Sequence, residues 1–157
     1  MIRTLVIGVA SAAAFSLSTA VFAQSQFGTA DEAKAMLSKA AAAVRADKAK
    51  ALDAFAKGEG GFKDRDLYPF CFNISDGKIF PFANPNATNF GQDVRSQKDV
   101  NGKPWGLEFY AAVQKPEGEI TSVIYMFPKP GADKTPVAKE SFITRVGDLG
   151  CGVGYYK

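Results

Sequence analysis

Residues 67–85 read LYPFCFNISDGKIFPFANP, and the fold follows from how this stretch is divided. Two apolar runs, Leu67 to Ile74 and Lys78 to Phe82, flank Ser75-Asp76-Gly77. An Asp-Gly pair between aromatic and β-branched runs predicts a tight hairpin. In the first arm, strand alternation puts Tyr68, Phe70 and Phe72 on one face and Leu67, Cys71 and Asn73 on the other. Pro69 cannot donate a ladder hydrogen bond, so it belongs at the start of that strand or at a bulge. Pro81 and Pro85 stop the second arm, and a long irregular passage is expected to follow.

Upstream of the hairpin, Thr29-Ala30-Asp31-Glu32 reads as a capping box. From there to Lys57 the chain is rich in Ala, Lys and Leu, with apolar positions at Ala33, Leu37, Ala40, Val44, Leu52 and Phe55. One amphipathic helix over 30–57, about seven turns long, is predicted, closed by Gly58 as C-cap. It either lies across one face of a sheet or forms half of a coiled coil. Its few large apolar residues favour the sheet, and dimerisation stays open.

Downstream, residues 86–103 are too polar for a core strand, and Asp99-Val100-Asn101-Gly102-Lys103 is a turn. Pro104 suits a helix start, and Trp105, Phe109, Ala112 and Val113 recur at helical spacing before Pro116. Three further strands are expected at Glu119 to Phe127, Pro136 to Val146 and Cys151 to Tyr156. Helices segregated from an antiparallel sheet of five strands make an α+β domain.

The chain opens with Arg3, an apolar run from Leu5 to Phe22 and Val21-Phe22-Ala23 before Gln24. This is the pattern of a secretory signal peptide cleaved after Ala23, an uncleaved anchor being the alternative. A single domain over 24–157, periplasmic or secreted, is expected, with no membrane span once the leader is removed. The formal net charge of +3 over 157 residues is too small and too evenly spread to argue for nucleic acid. Cys71 and Cys151 are the only cysteines. In an exported chain such a pair favours a disulfide over a metal site, with two buried free thiols as the remaining alternative. The absence of histidine removes Ser-His and Cys-His nucleophile pairs and the commonest zinc ligand. Carboxylates such as Asp64, Asp66, Glu117 and Glu119 are expected in solvated turns. No catalytic residue, metal or cofactor is expected.

In order and spacing, several short motifs together resemble a single Cache domain, the extracytoplasmic relative of the PAS fold. They are Asp66-Leu67-Tyr68, Asp76-Gly77, Asn84-Pro85 followed by Gly91, the 99–103 turn, YMFPKP at 125–130, Val137-Ala138-Lys139 and Gly152-Val153-Gly154-Tyr155. The resemblance implies a PAS-like sheet in the order 2-1-5-4-3, with the long helix on one face and a ligand pocket on the other. That order sets the first strand beside the fifth and so supports a Cys71–Cys151 bridge. Two positions depart from the family's pattern: Phe82 stands where a histidine is common, and Phe142 where a tyrosine is common. Both make the pocket more apolar. Receptors of this kind continue into a transmembrane helix and an output domain, whereas this chain stops at Lys157, so a free-standing module is expected.

The expected function is small-molecule binding of the sensor type, with a small organic acid as ligand. Tyr125 and Lys139 lie in the matching strand motifs, and a phenol with an ammonium can hold a carboxylate. Arg95 would add a bidentate clamp, and Phe82, Trp105 and Phe109 would supply walls. The alternative is an interaction scaffold whose pocket is filled by Phe82 and Phe142 and which docks to a membrane receptor or to a second copy.

Overall fold

The helix expected over 30–57 forms in two pieces. The computed structural model describes residues 26–157; the leader, its cleavage point and Gln24 lie outside the described residues. Helix α1 runs Ala30–Ala46 and α2 runs Lys48–Lys57. The break is at Asp47, whose backbone is extended and whose carboxylate accepts the Lys50 N–H. A short acceptor side chain competes for backbone donors in this way and starts a new helix rather than continuing the old one. The capping box at Thr29 and Glu32 is formed, and Gly58 ends α2 in the left-handed region at φ 71°.

Strands β1 (Pro69–Asn73), β2 (Thr121–Pro128), β3 (Pro136–Val146) and β4 (Leu149–Tyr156) make an antiparallel sheet in the order β1-β4-β3-β2. This is the expected order without its outermost member. The turn at 75–77 is present, with Gly77 at φ 76°, but residues 78–82 do not extend into a strand. They keep one bridge to β1, Phe72 to Ile79, with the bonds from Phe80 N to Cys71 O and from Asn73 N to Lys78 O, and Lys78 forms a second bridge with Asp93. Ile79 turns its own backbone to Gln92 O and Gly91 N instead, and Pro81 has no donor with which to prolong the pairing.

The two faces of the sheet carry two separate cores. On one, α1 buries Ala33, Leu37, Ala40 and Val44 against Cys71, Val146, Leu149, Cys151 and Val153. On the other, helix α3 (Trp105–Ala112) sets Trp105 and Phe109 against Phe70, Val123, Tyr125 and Ile143. The β1 side chains divide between the faces as their alternation predicts: Tyr68, Phe70 and Phe72 go to the α3 side, and Leu67 and Cys71 to the helix α1 side.

β4 makes the dense aromatic side possible. Leu149, Cys151 and Val153 point to α1, so Gly150, Gly152 and Gly154 present bare backbone to the other face. A Cβ on Gly152 would stand 2.6 Å from the Phe70 ring; one on Gly150 would meet the Phe72 ring, and one on Gly154 would meet Ser141 and the Lys139 stem. Large side chains therefore lie flat on the strand.

Cys71 and Cys151 are direct register partners and are joined by a disulfide. At the opposite edge, the 99–103 turn covers β2: Asp99 Oδ2 accepts from Met126 N at 3.0 Å, and Lys103 Nζ donates to Ile124 O at 2.6 Å. Among the described residues, no helix is long and apolar enough to cross a membrane.

The bridge closes a sequence separation of 80 residues, for which loop-closure entropy sets a ceiling of roughly 4 kcal/mol. Replacing both cysteines by alanine is expected to lower the melting temperature by about 5–15 °C, read by circular dichroism. Gly152→Ala is expected to destabilise by about 1–3 kcal/mol through overpacking against Phe70, measured by urea unfolding; an unchanged midpoint would contradict the close packing.

Candidate ligand-binding site

The register of the sheet assembles the site. Lys139 on β3 pairs with Tyr125 of β2 on one side and Tyr156 of β4 on the other, so the three side chains stand abreast on the α3 face. Tyr68 reaches the same place from the residue before β1. Lys139 is 1% exposed, and its Nζ donates to Tyr68 Oη at 2.7 Å. The ammonium also lies 4.1 Å from the Tyr68 ring centroid, 4.9 Å from that of Tyr156 and 5.3 Å from that of Phe127. Ring faces attract a cation, and more strongly when water is excluded.

The hydrogen bonds around Tyr68 have a direction. Tyr68 Oη accepts from Lys139 and from Asn84 Nδ2 at 2.8 Å. Tyr156 gives its single proton to Pro128 O at 2.7 Å, so the 3.3 Å contact between the two phenols takes Tyr68 as donor. Asn84 Nδ2 also reaches Pro128 O at 3.2 Å. The Asn84-Pro85 passage is thereby tied both to the site and to the end of β2.

Among the described residues, Lys139 has no carboxylate within ion-pair distance; its bonded partner is a neutral phenol. Burial pushes its pKa down from 10.5 to about 7; the distant Asp66 charge pulls it up, and Lys63 pushes it down further. Burial likewise raises the Tyr68, Tyr125 and Tyr156 phenols, which stay protonated.

The space beside this cluster is small. A cavity of about 20 Å³ lies among Tyr68, Phe70, Phe82, Phe109, Tyr125 and Lys139, room for about one water. A wider cleft of about 240 Å³ adjoins it, sharing Asn89, Trp105 and Phe127 as walls and rimmed by Thr88, Gln97 and Asp99.

Of the side chains picked from sequence, Lys139, Tyr125, Trp105, Phe109 and Phe82 all line the inner cavity. Tyr125 is turned to Ser141, 3.1 Å away, and Trp105 stacks on it at 4.8 Å. Phe82 lies parallel to Tyr68 at 5.3 Å. Arg95 is elsewhere: it forks onto Asp93 at 2.6–2.9 Å and donates to Asp76 O, clamping the 75–77 turn. Phe142 does not fill the pocket; it packs on the helix α1 side, stacked with Tyr155 and under Lys34. Tyr68, Asn84 and Tyr156 were not picked. Tyr68 and Asn84 lie in the family-like motifs and Tyr156 ends the last expected strand, and their convergence depends on the register and on the return of residues 80–85 over β1.

No family model matches the chain, and no curated protein does. Solved structures do. A methyl-accepting chemotaxis protein from Vibrio parahaemolyticus superposes with a TM-score of 0.62 at 20% identity, covering 80% of this chain and 86% of that one. A Cache chemosensory domain solved for its carboxylic acid recognition gives 0.57 at 24% identity, over 80% and 86% of the two chains. The fold is that of a single Cache sensor domain. A periplasmic sensor domain of a chemotaxis protein agrees, with a TM-score of 0.55 at 23% identity over 80% of this chain and 88% of that one. Within this Cache fold the Lys139 cluster lies on the face of the sheet away from α1.

The Lys139 titration carries a sign. Its folded pKa, about 7, lies below the unfolded value, so between these two pH values the unfolded chain binds more protons and stability rises with pH. Lys63, also held down by burial, adds in the same direction. Above about pH 10 the trend reverses, as tyrosines ionise in the unfolded chain alone. The unfolding free energy from urea titration is expected to climb from pH 7 toward pH 9.5, by about a few kcal/mol in total on the scale of the shift. Lys139→Met is expected to flatten most of that slope; an equal slope in the variant would contradict the buried ammonium.

Proposed function

We propose that the domain is an extracytoplasmic sensor-type module that binds a small carboxylate on Lys139, with Tyr68 as the second polar contact once its phenol proton turns from Tyr156 to the guest. The observation that carries this reading is a buried ammonium whose partners are neutral. Burying a charge without its opposite is costly, and a bound carboxylate would remove that cost while keeping Lys139 protonated. The likeness to a Cache domain that recognises carboxylic acids supports the same chemistry. A periplasmic location rests on the leader pattern of residues 1–23 and on the likeness to a periplasmic sensor domain. The bound state would be read by a membrane receptor or by a second copy of the chain.

A guest larger than one water needs Phe82 to lift from Tyr68 or the wall toward the wider cleft to part. Phe82 is backed by the half-exposed Phe90, edge-on at 4.9 Å, so the outward path is short. The closed inner cavity favours a second reading, an interaction scaffold whose pocket is filled by its own rings.

Thermal-shift and calorimetric titration with acetate, propionate, butyrate, pyruvate and lactate separates the two. An acid at about 100 times its Kd stabilises by roughly 2.7 kcal/mol. Binding is expected to vanish in Lys139→Met and to weaken about tenfold in Tyr68→Phe. It is also expected to weaken above about pH 7 as the free protein's Lys139 loses its proton. No shift with any acid, in a folded protein, would leave the scaffold reading.

A further inference from the structure

Four buried side-chain oxygens among the described residues have no hydrogen-bond partner: Asp66 Oδ2, Asn89 Oδ1, Thr121 Oγ1 and Thr144 Oγ1. Only Asn89 lines the cavity that holds the Lys139 ammonium. Asn89 is 7% exposed and stands where that cavity meets the wider cleft. Its backbone is fixed, since its carbonyl accepts from Gln92 N at 3.2 Å and Gln92 Nε2 reaches back to Thr88 O at 3.0 Å. Neighbouring polar groups are already engaged. Asn86 Nδ2 donates to Lys129 O and Gly131 O, Gln97 Nε2 to Gln92 Oε1, and Asp99 accepts from Asn101, Lys103 and Met126 backbone. An acceptor left open in a buried wall is costly unless something donates to it, and one water fits there when no guest is present.

We propose that Asn89 is the specificity-determining residue of the site: its Oδ1 selects carboxylic acids that carry an O–H or N–H donor over plain alkyl acids. The inference rests on the carboxylate reading of Lys139. The acid group sits on Lys139 and Tyr68, the donor is given to Asn89 Oδ1, and any further chain passes between Trp105 and Phe127 into the wider cleft. An unsubstituted acid displaces the water and gives Asn89 nothing in return.

The test is calorimetric titration with matched pairs: propionate against lactate and 3-hydroxypropionate, and butyrate against 3-hydroxybutyrate and 4-hydroxybutyrate. In the wild-type protein at least one hydroxy acid is expected to bind about tenfold more tightly than its parent, and in Asn89→Leu that ratio is expected to fall to within about twofold. The Asn89 side-chain amide resonance supplies a second readout that needs no variant, shifting with the preferred hydroxy acid and not with its parent. Parent and hydroxy acids binding the wild type equally would overturn the role of Asn89 and leave the carboxylate reading standing. A preference that persists in Asn89→Leu, or an amide resonance that does not move, would likewise overturn it. If no acid of either kind binds, the carboxylate reading fails and this inference fails with it.

Discussion

One ammonium is held against the sheet with only neutral groups in direct contact with it, and the aromatic half of the domain is arranged about that constraint. Lys139 can occupy its place because Gly154 leaves room for its stem and because four ring faces surround its head at 4.1–5.9 Å. The rings offset part of the lost hydration, and the phenol oxygen of Tyr68 accepts one N–H directly. Tyr68 is in turn anchored by Asn84 and Tyr156, so the placing of the lysine reaches through hydrogen bonds to the chain at 84–85 and to the end of β2.

The other half of the domain has a different character. The core under α1 is aliphatic, made of alanines, Leu37, Val44 and the odd-numbered side chains of β4, and the disulfide is buried within it. The disulfide-bearing core and the candidate site are thus separated by the thickness of one sheet. Both depend on β4, whose alternation of large residue and glycine gives each face what it needs.

Much of this was legible in the sequence because it depends on local chemistry. The capping box at Thr29, the C-cap at Gly58, the turn at Gly77, the extent of β3 and the division of β1 between faces all follow from residue type and period. Asp47 was equally local, yet the helical periodicity on either side of it hid the break. What escaped depends on contacts remote in sequence. The arm at 78–82 has the composition of a strand but divides its backbone partners between β1 and residues 91–93. Arg95 reads as a free cation until Asp93 folds back on it. Phe142 reads as a pocket residue until the register sends it to the α1 side. The site itself was half legible: Lys139 and its walls could be picked, whereas Tyr68, Tyr156 and Asn89 acquire their roles only when five separate segments meet.

The covered sheet edges bear on how this molecule can meet others. The β1 edge is occupied by the irregular arm at Lys78–Phe80, and the row of backbone groups along β2 is interrupted by Asp99 and Lys103 and ends at Pro128. Exposed, flat edges are templates for strand exchange and fibrillar stacking. With both edges interrupted in this way, adding another polypeptide as a further strand is disfavoured. Side chains on the helices and loops, where sequence rather than backbone decides who is admitted, are then the surface best suited to meet a protein partner.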